Sequence, residues 1–273
     1  KTVMFYKEDV MKRKTVVLVI LIILSIITKV DAVSNPDILM ELVLKAEKTF
    51  SREEISYEHI EALKSMGFYK KDYKDDNINI RNAILRFQSD CNLVADGIPG
   101  KMFRSAMAKR QQVGKGYKYT DVVTKAPSKG YWLTVNRDKR IITLYKYKTV
   151  IRKYPAAIGK DTSATPQGKF SVVVRTKNPM WSGGGYAKPV QGGSPKNPLG
   201  YRWIGLSVGK GSKYGIHGNN NPYSIGRGIS KGCIRMINSD VNGLFDIVKN
   251  GTPVWIGDEA QLKKWGITQT SFY

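Results

Sequence analysis

Residues 131–145 read YWLTVNRDKRIITLY. Two runs rich in aromatic and β-branched residues, 131–135 and 141–145, flank the polar segment 136–139. Alternation with a period of two on both sides of a short polar turn predicts a β-hairpin. The same pattern predicts further strands at 150–154, 169–175, 203–208, 214–217 and 252–256.

The sequence around this hairpin extends the β pattern to a whole domain. One amphipathic helix is predicted after Asn238, and it closes at Gly251. Residues 176–200 are rich in Gly, Pro, Asn and Lys, and so long a loop in a compact domain is typical of a lid or a binding loop. We therefore predict a mostly β domain with one clear helix over 130–257, followed by a C-terminal tail at 258–273.

Residues 33–111 carry helical rather than β periodicity. Apolar residues recur there at intervals of three or four, and Gly67 ends one of the helical patterns. Residues 112–129 combine Gly, Lys, Pro and Ser without periodicity, which is typical of a linker. The predicted fold class is α+β with two domains, a small helical domain followed by the mostly β domain at 130–257.

The segment 1–32 has the pattern of an export signal. Residues 15–28 (TVVLVILIILSIIT) contain no charge and follow the basic segment 12–14. The run is shorter than the roughly 20 apolar residues that a membrane-spanning helix needs, and it suits the apolar core of a signal peptide with cleavage after Ala32. An uncleaved membrane anchor is the alternative, and both interpretations place the rest of the chain outside the cytoplasm.

The charge of the chain narrows the choice of partners. The 273 residues carry a net charge of +23, of which +20 remains after residue 32. For an exported protein, so basic a composition favours an anionic cell wall and argues against nucleic acid. Two cysteines and two histidines exclude a disulfide framework and a cysteine-only metal cluster. No metal or organic cofactor is predicted.

The stretch 214–236 reads YGIHGNNNPYSIGRGISKGCIRM and carries the candidate chemistry. Cys233 follows Gly232, which lets a substrate approach the backbone closely, and its basic neighbours are expected to lower the pKa of the thiol. His217, at the end of a predicted strand, is the candidate base for this thiol. Two other interpretations stay open from the residues alone: a buried structural Cys233 with His217 in a loop, or a disulfide between Cys91 and Cys233.

This stretch resembles the active-site motif of the L,D-transpeptidase catalytic domain (YkuD type), in which His-Gly is followed by Ser-x-Gly-Cys-Ile/Val-Arg-Met/Leu. The matching positions are His217, Gly218, Ser230, Gly232, Cys233, Ile234, Arg235 and Met236. The upstream stretch 164–170 (ATPQGKF) resembles the family's Thr-Pro-x-Gly-x-Phe turn. The resemblance covers about 130–257. It implies a largely β domain and a cysteine acyltransferase that acts on peptidoglycan stem peptides in cell wall biogenesis.

The resemblance also implies a mechanism. Cys233 would attack the carbonyl of the third residue of a donor tetrapeptide, release D-alanine, and pass the acyl group from a thioester to an acceptor amine, which gives a 3→3 crosslink. His217 would carry the proton, and the carbonyl of Gly218 would orient its imidazole. Arg235 would either orient the loop or meet a substrate carboxylate. Further candidates for the oxyanion hole or for substrate contact are the backbone of Gly232 and Cys233, and Ser230.

Other activities fit the same residues. An L,D-carboxypeptidase would use water as the acceptor, and a non-catalytic wall-binding protein is a second alternative. A sortase is less consistent, because its Cys and His lie much farther apart in sequence. A thiol beside an oxyanion hole is also expected to open a β-lactam ring, and the resemblance points to carbapenems as covalent inhibitors.

The helical part resembles the peptidoglycan-binding-like three-helix domain. The resemblance rests on 67–69 (GFY), 83–88 (AILRFQ) and 93–100 (LVADGIPG), which combine a Phe-Gln pair on a helix with an Asp-Gly-x-x-Gly turn. Residues 101–103 (KMF) depart from the usual continuation of that turn. We expect the domain at 33–111 to fold alone and to tether the enzyme to the wall.

Overall fold

A computed structural model describes residues 55–161, 164–185 and 187–273. The apolar run 15–28, the predicted cleavage site and the first part of the predicted helical domain lie outside the described residues. Within the described ranges, no helix combines the length and the apolar character that crossing a bilayer requires.

The described chain contains helices first, then strands, with two further helices near the end. The helices are α1 (Tyr57–Ser65), α2 (Asp76–Asp90), α3 (Lys101–Val113), α4 (Asn238–Ile247) and α5 (Glu259–Lys264). The strands are β1 (Asp121–Val123), β2 (Tyr131–Asn136), β3 (Ile141–Lys146), β4 (Thr149–Gly159), β5 (Gly168–Lys177), β6 (Arg202–Leu206), β7 (Gly215–His217), β8 (Gly228–Ser230), β9 (Ile234–Met236), β10 (Pro253–Gly257) and β11 (Ile267–Gln269).

The strands of the predicted β domain form one sheet that closes on itself. The order is β3-β2-β10-β5-β6-β7-β9-β4-β8, and β3 also pairs with β4, which completes a barrel of eight strands with β8 attached to β4. The hairpin predicted at 131–145 is confirmed, with Tyr131 opposite Lys146 and Asn136 opposite Ile141. Apolar residues of the strands fill the core, and α4 packs on it through Val241, Leu244 and Phe245.

Helices α1–α3 build a separate small core around Phe87, which is fully buried and makes an edge-to-face contact with Phe103 at 5.1 Å. The neighbouring Gln88 ties α2 to the Asp-Gly turn. Its Nε2 donates to Asp96 Oδ1 at 2.7 Å, and its Oε1 accepts from the amide of Gly97 at 2.8 Å. The Phe-Gln and Asp-Gly motif thus stabilises the helical core and the turn that follows α2.

The helices and the barrel share a buried interface. Arg86 on α2 donates through Nε to Asp240 Oδ2 on α4 at 2.9 Å, and both side chains are less than a tenth exposed. An apolar cluster crosses the same interface, formed by Leu85, Ala95, Ile141, Ala157, Ile225 and Ile237. Ser51–Tyr273 forms one compact unit. The described helices are therefore packed on the barrel and are not joined to it only by a flexible linker.

The segments predicted as linker and tail hold regular structure. Residues 112–129 contain the end of α3, a 3₁₀ turn at Gly114–Gly116, and β1. Residues 258–273 contain α5 and β11, and β11 pairs antiparallel with β1, with Asp121 opposite Gln269. Strands of three residues are too short to show a period, so only their tertiary pairing reveals them.

A buried polar cluster around Asp121 joins these segments to both cores. The side chains of Asp121 and Lys153 are fully buried and form an ion pair. The Asp121 carboxylate also accepts from Tyr145 Oη at 2.6 Å and from Asn92 Nδ2 at 2.8 Å. Gln269 Nε2 lies 3.0 Å from Tyr145 Oη. Burial lowers the pKa of Lys153, and the Asp121 carboxylate opposes that shift.

Replacing Asp121 is expected to destabilise the whole unit. Asp121→Ala leaves the ammonium of Lys153 buried without its carboxylate, which typically costs about 3–5 kcal/mol. Urea unfolding at neutral pH measures the loss. Asp246→Ala removes an exposed carboxylate on α4 and is the matched control. Equal stability of the two variants would contradict the structural role of the cluster.

Candidate active site

The two candidate catalytic residues lie on neighbouring parallel strands. β7 pairs with β9, with Ile216 opposite Ile234 and His217 opposite Arg235. Cys233 directly precedes β9, two residues before Arg235. The register of this pairing places Cys233 beside Gly215, two residues before His217 on the neighbouring strand. The fold thus brings together the residues that the sequence pairs.

His217 is held in one orientation. Its side chain is buried, and Nδ1 lies 2.7 Å from the carbonyl oxygen of Gly218. A carbonyl can only accept, so Nδ1 carries the proton and Nε2 of the neutral ring keeps its lone pair. This is the tautomer that a general base needs, and the expected orienting contact from Gly218 is present.

Trp203 supports the imidazole from the neighbouring strand. It lies directly opposite His217 in the β6–β7 pairing, and the two rings stack with centroids 5.6 Å apart. The indole is itself fixed, because Nε1 donates to the carbonyl of Gly211 at 2.8 Å. Sequence reasoning missed this residue, since Trp203 has the appearance of any aromatic residue on a strand.

A pair of asparagines fixes the backbone that follows His217. Asn238 Oδ1 accepts from the amide of Asn219 at 3.0 Å, and Asn238 Nδ2 donates to the carbonyl of Asn219 at 2.8 Å. A Cβ on Gly218 would lie 2.2 Å from Asn238 Oδ1, so only glycine fits at this position. No sequence pattern predicts this contact, because Asn238 has the pattern of a helix start.

The environment keeps His217 uncharged. Its pKa is lowered to about 3, chiefly by burial and also by the positive charge of Arg235, while hydrogen bonds to the carbonyls of Gly218 and Leu199 oppose the shift. At neutral pH the imidazole is therefore a free base.

The thiol of Cys233 is half-buried, and its Sγ donates to the carbonyl of Lys213 at 3.5 Å. Burial raises its pKa, and the amide of Gly215 and the charge of Arg235 counter this only in part. Arg235 lowers the pKa of this thiol, as expected of a basic neighbour, but the net shift is upward because desolvation outweighs it. Within the described residues the thiol bonds to Lys213 rather than to His217, as is common before substrate binds.

The turn before Cys233 is closed by Ser230. Its Oγ donates to the carbonyl of Cys233 at 2.5 Å and accepts from the amide of Gly232 at 3.1 Å. Because an amide has one proton, the N–H of Gly232 serves the turn rather than an oxyanion. The amide of Gly232 is therefore not an oxyanion donor here, contrary to the expectation. The hydroxyl of Ser230 stabilises the turn. The amide of Cys233 stays the candidate oxyanion donor.

Glycine is required at position 232. Its φ is +109°, and a Cβ there would lie 2.8 Å from the ring of Tyr214. Arg235, by contrast, is half-buried on β9 between His217 of β7 and Ala157 of β4. It lies close enough to lower the pKa of both Cys233 and His217, so it acts on the site electrostatically.

Cys91 lies in the core of the helices and is fully buried. Both cysteines are free, so the alternative of a Cys91–Cys233 disulfide is excluded. Burial raises the pKa of Cys91 to about 12, which makes it unreactive. Among the described residues, no group of three or more His, Cys, Asp or Glu side chains is placed to hold a metal ion.

Comparison with known proteins gives a consistent picture. The L,D-transpeptidase catalytic domain (YkuD) matches residues 130–256. The Bacillus subtilis proteins YqjB and YkuD, which carry the family name L,D-transpeptidase, are 41% and 42% identical over 131 and 126 residues. These matches cover 47% and 46% of this chain, and 72% and 65% of the two relatives.

A solved structure shows the same fold. The L,D-transpeptidase of Xylanimonas cellulosilytica (residues 123–326) superposes with a TM-score of 0.50 at 22% identity, over 72% of this chain and 90% of that chain.

The low pKa of His217 makes stability depend on pH. Between pH 6.5 and about 3, the unfolded chain protonates this imidazole and the folded chain does not. The free energy of unfolding therefore falls as the pH falls through this window, by up to about 1.4 kcal/mol per pH unit. His217→Gln removes this slope in urea unfolding between about pH 7 and pH 4.5. His59→Gln, on the half-exposed start of α1, is the control. An unchanged slope in His217→Gln would show that the imidazole is not buried neutral.

Proposed function

The chain belongs to the L,D-transpeptidase family, and we propose that it forms 3→3 crosslinks between peptidoglycan stem peptides through a thioester on Cys233. One observation carries the proposal: a half-buried thiol directly precedes the strand that pairs with β7, and β7 carries a neutral imidazole whose Nδ1 proton is fixed by Gly218. A neutral imidazole whose Nδ1 carries the proton can accept the proton of a thiol at Nε2.

In the acylation step, Cys233 Sγ attacks the carbonyl of the third stem residue while its proton passes to Nε2 of His217. The amide of Cys233 donates to the oxyanion, and loss of one such donor typically costs about 10²–10³ in rate. The tetrahedral intermediate then expels D-alanine, whose amine takes the proton from His217. A thioester and a neutral imidazole remain.

In the transfer step, the amine of an acceptor stem attacks the thioester carbonyl. Its proton passes to His217, the C–S bond breaks, and the proton returns to Sγ. The starting thiol is regenerated, and no cofactor enters the balance. Arg235 keeps the imidazole unprotonated between these steps, because a positive charge nearby disfavours the imidazolium.

The hydrolytic alternative uses the same thioester. With water in place of the acceptor amine, the enzyme is an L,D-carboxypeptidase that trims tetrapeptide stems to tripeptides. A non-catalytic wall-binding protein would not need the fixed tautomer of His217. We therefore place the transpeptidase first.

The setting we propose is the cell wall. The segment 1–32 would direct export or anchor the chain, and the +20 charge of the remaining residues suits an anionic wall. The helices α1–α3 would add contacts to peptidoglycan as a peptidoglycan-binding-like domain. We do not propose nucleic acid as a partner.

A tetrapeptide incubation tests the reaction. Wild-type protein should release D-alanine and yield a crosslinked dimer, with the acyl-enzyme visible by mass spectrometry. Cys233→Ala should form neither adduct nor dimer, because the nucleophile is gone, while circular dichroism shows an intact fold. Cys91→Ala, which removes the buried cysteine, is the control and should keep full acylation. D-alanine release with tripeptide alone would assign the carboxypeptidase instead, and crosslinking by Cys233→Ala would refute the thioester.

Covalent inhibition tests the base. A carbapenem should acylate Cys233 and increase the protein mass, because the thiol that attacks a stem carbonyl also opens a strained lactam. His217→Ala should slow this acylation strongly, since an unassisted thiol is only a few per cent ionised near neutral pH. Acylation at the same rate without His217 would contradict general-base activation. A penicillin, which mimics a D-Ala-D-Ala end, should react poorly and serves as the control ligand.

A further inference from the structure

The segment that connects the base to the nucleophile lies against the helices. After His217 the chain leaves the barrel and returns through β8 to Cys233. Ile225, midway along this connection, is fully buried in the apolar cluster that also holds Leu85 of α2 and Ala95. The connection between the two catalytic residues is therefore shaped by the helices as well as by the barrel.

Arg81 of α2 makes the polar contact in this interface. Its Nη2 donates to the carbonyl of Ile225 at 2.8 Å and to the carbonyl of Asp96 at 3.2 Å. The guanidinium lies 6.0 Å from the ring centroid of Tyr223, and the residue is only 7% exposed. Among the described residues it forms no salt bridge. A buried cation is costly, and here only Nη2 donates to backbone carbonyls, while Nη1 is buried without a hydrogen-bond partner among the described residues.

Gly226 shows how closely the connection approaches the helical part. Its φ is +87°, and a Cβ there would lie 2.7 Å from the carbonyl oxygen of Ala95 and 2.9 Å from Leu85 Cδ2. Its amide donates to the carbonyl of Ala156 on β4 at 3.0 Å. The backbone at this point is hydrogen-bonded to the barrel and has no space for a side chain towards Ala95 and Leu85.

Hydrogen bonds connect the backbone at Ile225 and Gly226 to the turn that holds Cys233. β8 follows at once and pairs with β4, where Gly159 lies opposite Ser230. Ser230 in turn fixes both the amide of Gly232 and the carbonyl of Cys233. A displacement at Ile225 is therefore separated from the nucleophile only by a three-residue strand and a tight turn.

We propose that Arg81 is a positioning residue for the reaction at Cys233, and that the helices hold the active site in shape rather than serving only as a tether. Arg81 touches neither substrate nor thiol and acts through the backbone of Ile225. The inference deepens the proposed function and rests on it for its kinetic part. It does not require that the helices bind peptidoglycan.

The test uses the full chain with Arg81→Met, Arg81→Lys and the control Arg110→Met. Arg110 is a second mostly buried arginine, and it pairs with Asp90 inside the helical part at 2.8 Å. Arg81→Met should lower kcat for a soluble tetrapeptide by about 10- to 100-fold, the scale of a small misplacement of catalytic groups, with KM little changed. Arg81→Lys should recover part of the loss, because one donor can still reach Ile225. Arg110→Met should keep the wild-type kcat.

Alkylation by iodoacetamide, followed at each cysteine by mass spectrometry, supplies a readout that does not depend on the proposed reaction. In Arg81→Met, Cys233 should react faster at neutral pH, since a displaced turn loses the burial that raises its pKa. Cys91 should stay protected, which shows that the fold is intact. Lower turnover with faster alkylation of Cys233 alone is the expected signature.

Wild-type kcat and a wild-type alkylation rate in Arg81→Met would overturn the proposal, as would equal losses in Arg110→Met. If Arg81→Met does not fold, Gly226→Ala pushes the same backbone away from Ala95 with Arg81 intact. That variant should show the same signature, and wild-type behaviour would overturn the proposal. If the wild type itself turns over no tetrapeptide, the proposed function fails, and the alkylation rates alone decide on Arg81.

Discussion

The backbone pairing of β4 is the interaction on which the rest of the structure depends. This strand of eleven residues hydrogen-bonds to β3, β9 and β8. The pairing with β3 closes the barrel, and the pairings with β9 and β8 flank the turn of Cys233. Lys153 of the same strand enters the buried cluster with Asp121. The closure of the barrel, the turn of Cys233 and the buried ion pair thus all depend on one strand.

His217 and Cys233 are both uncharged in the resting site. Burial keeps the imidazole of His217 neutral and raises the pKa of the Cys233 thiol, so the resting pair carries no ion pair. A positive charge on the imidazole can be stabilised by the carbonyl of Gly218, which accepts the Nδ1 proton. Selectivity follows from this, because a thiol that is protonated at rest is a poor target for adventitious electrophiles.

The sequence predicted what depends on local pattern and missed what depends on tertiary pairing. The 131–145 hairpin and the order of His217 before Cys233 follow from alternation and from a specific motif. The three-residue strands β1 and β11 carry no period, and the stacking of Trp203 on His217 exists only once β6 and β7 pair. The sign of the Cys233 pKa shift also required burial, which the neighbouring basic residues do not reveal.

The contact between residue 272 and the helical core has a consequence for biogenesis. Phe272 packs on the cluster around Phe87, and its amide donates to the carbonyl of Cys91 at 2.8 Å. A chain that is synthesised in N-to-C order cannot complete that first core until residue 272 is available. Contacts so distant in sequence slow folding, because the loop must close before they form. The helical core and the C-terminal residues are therefore expected to become resistant to proteolysis together, and only once the whole chain is present.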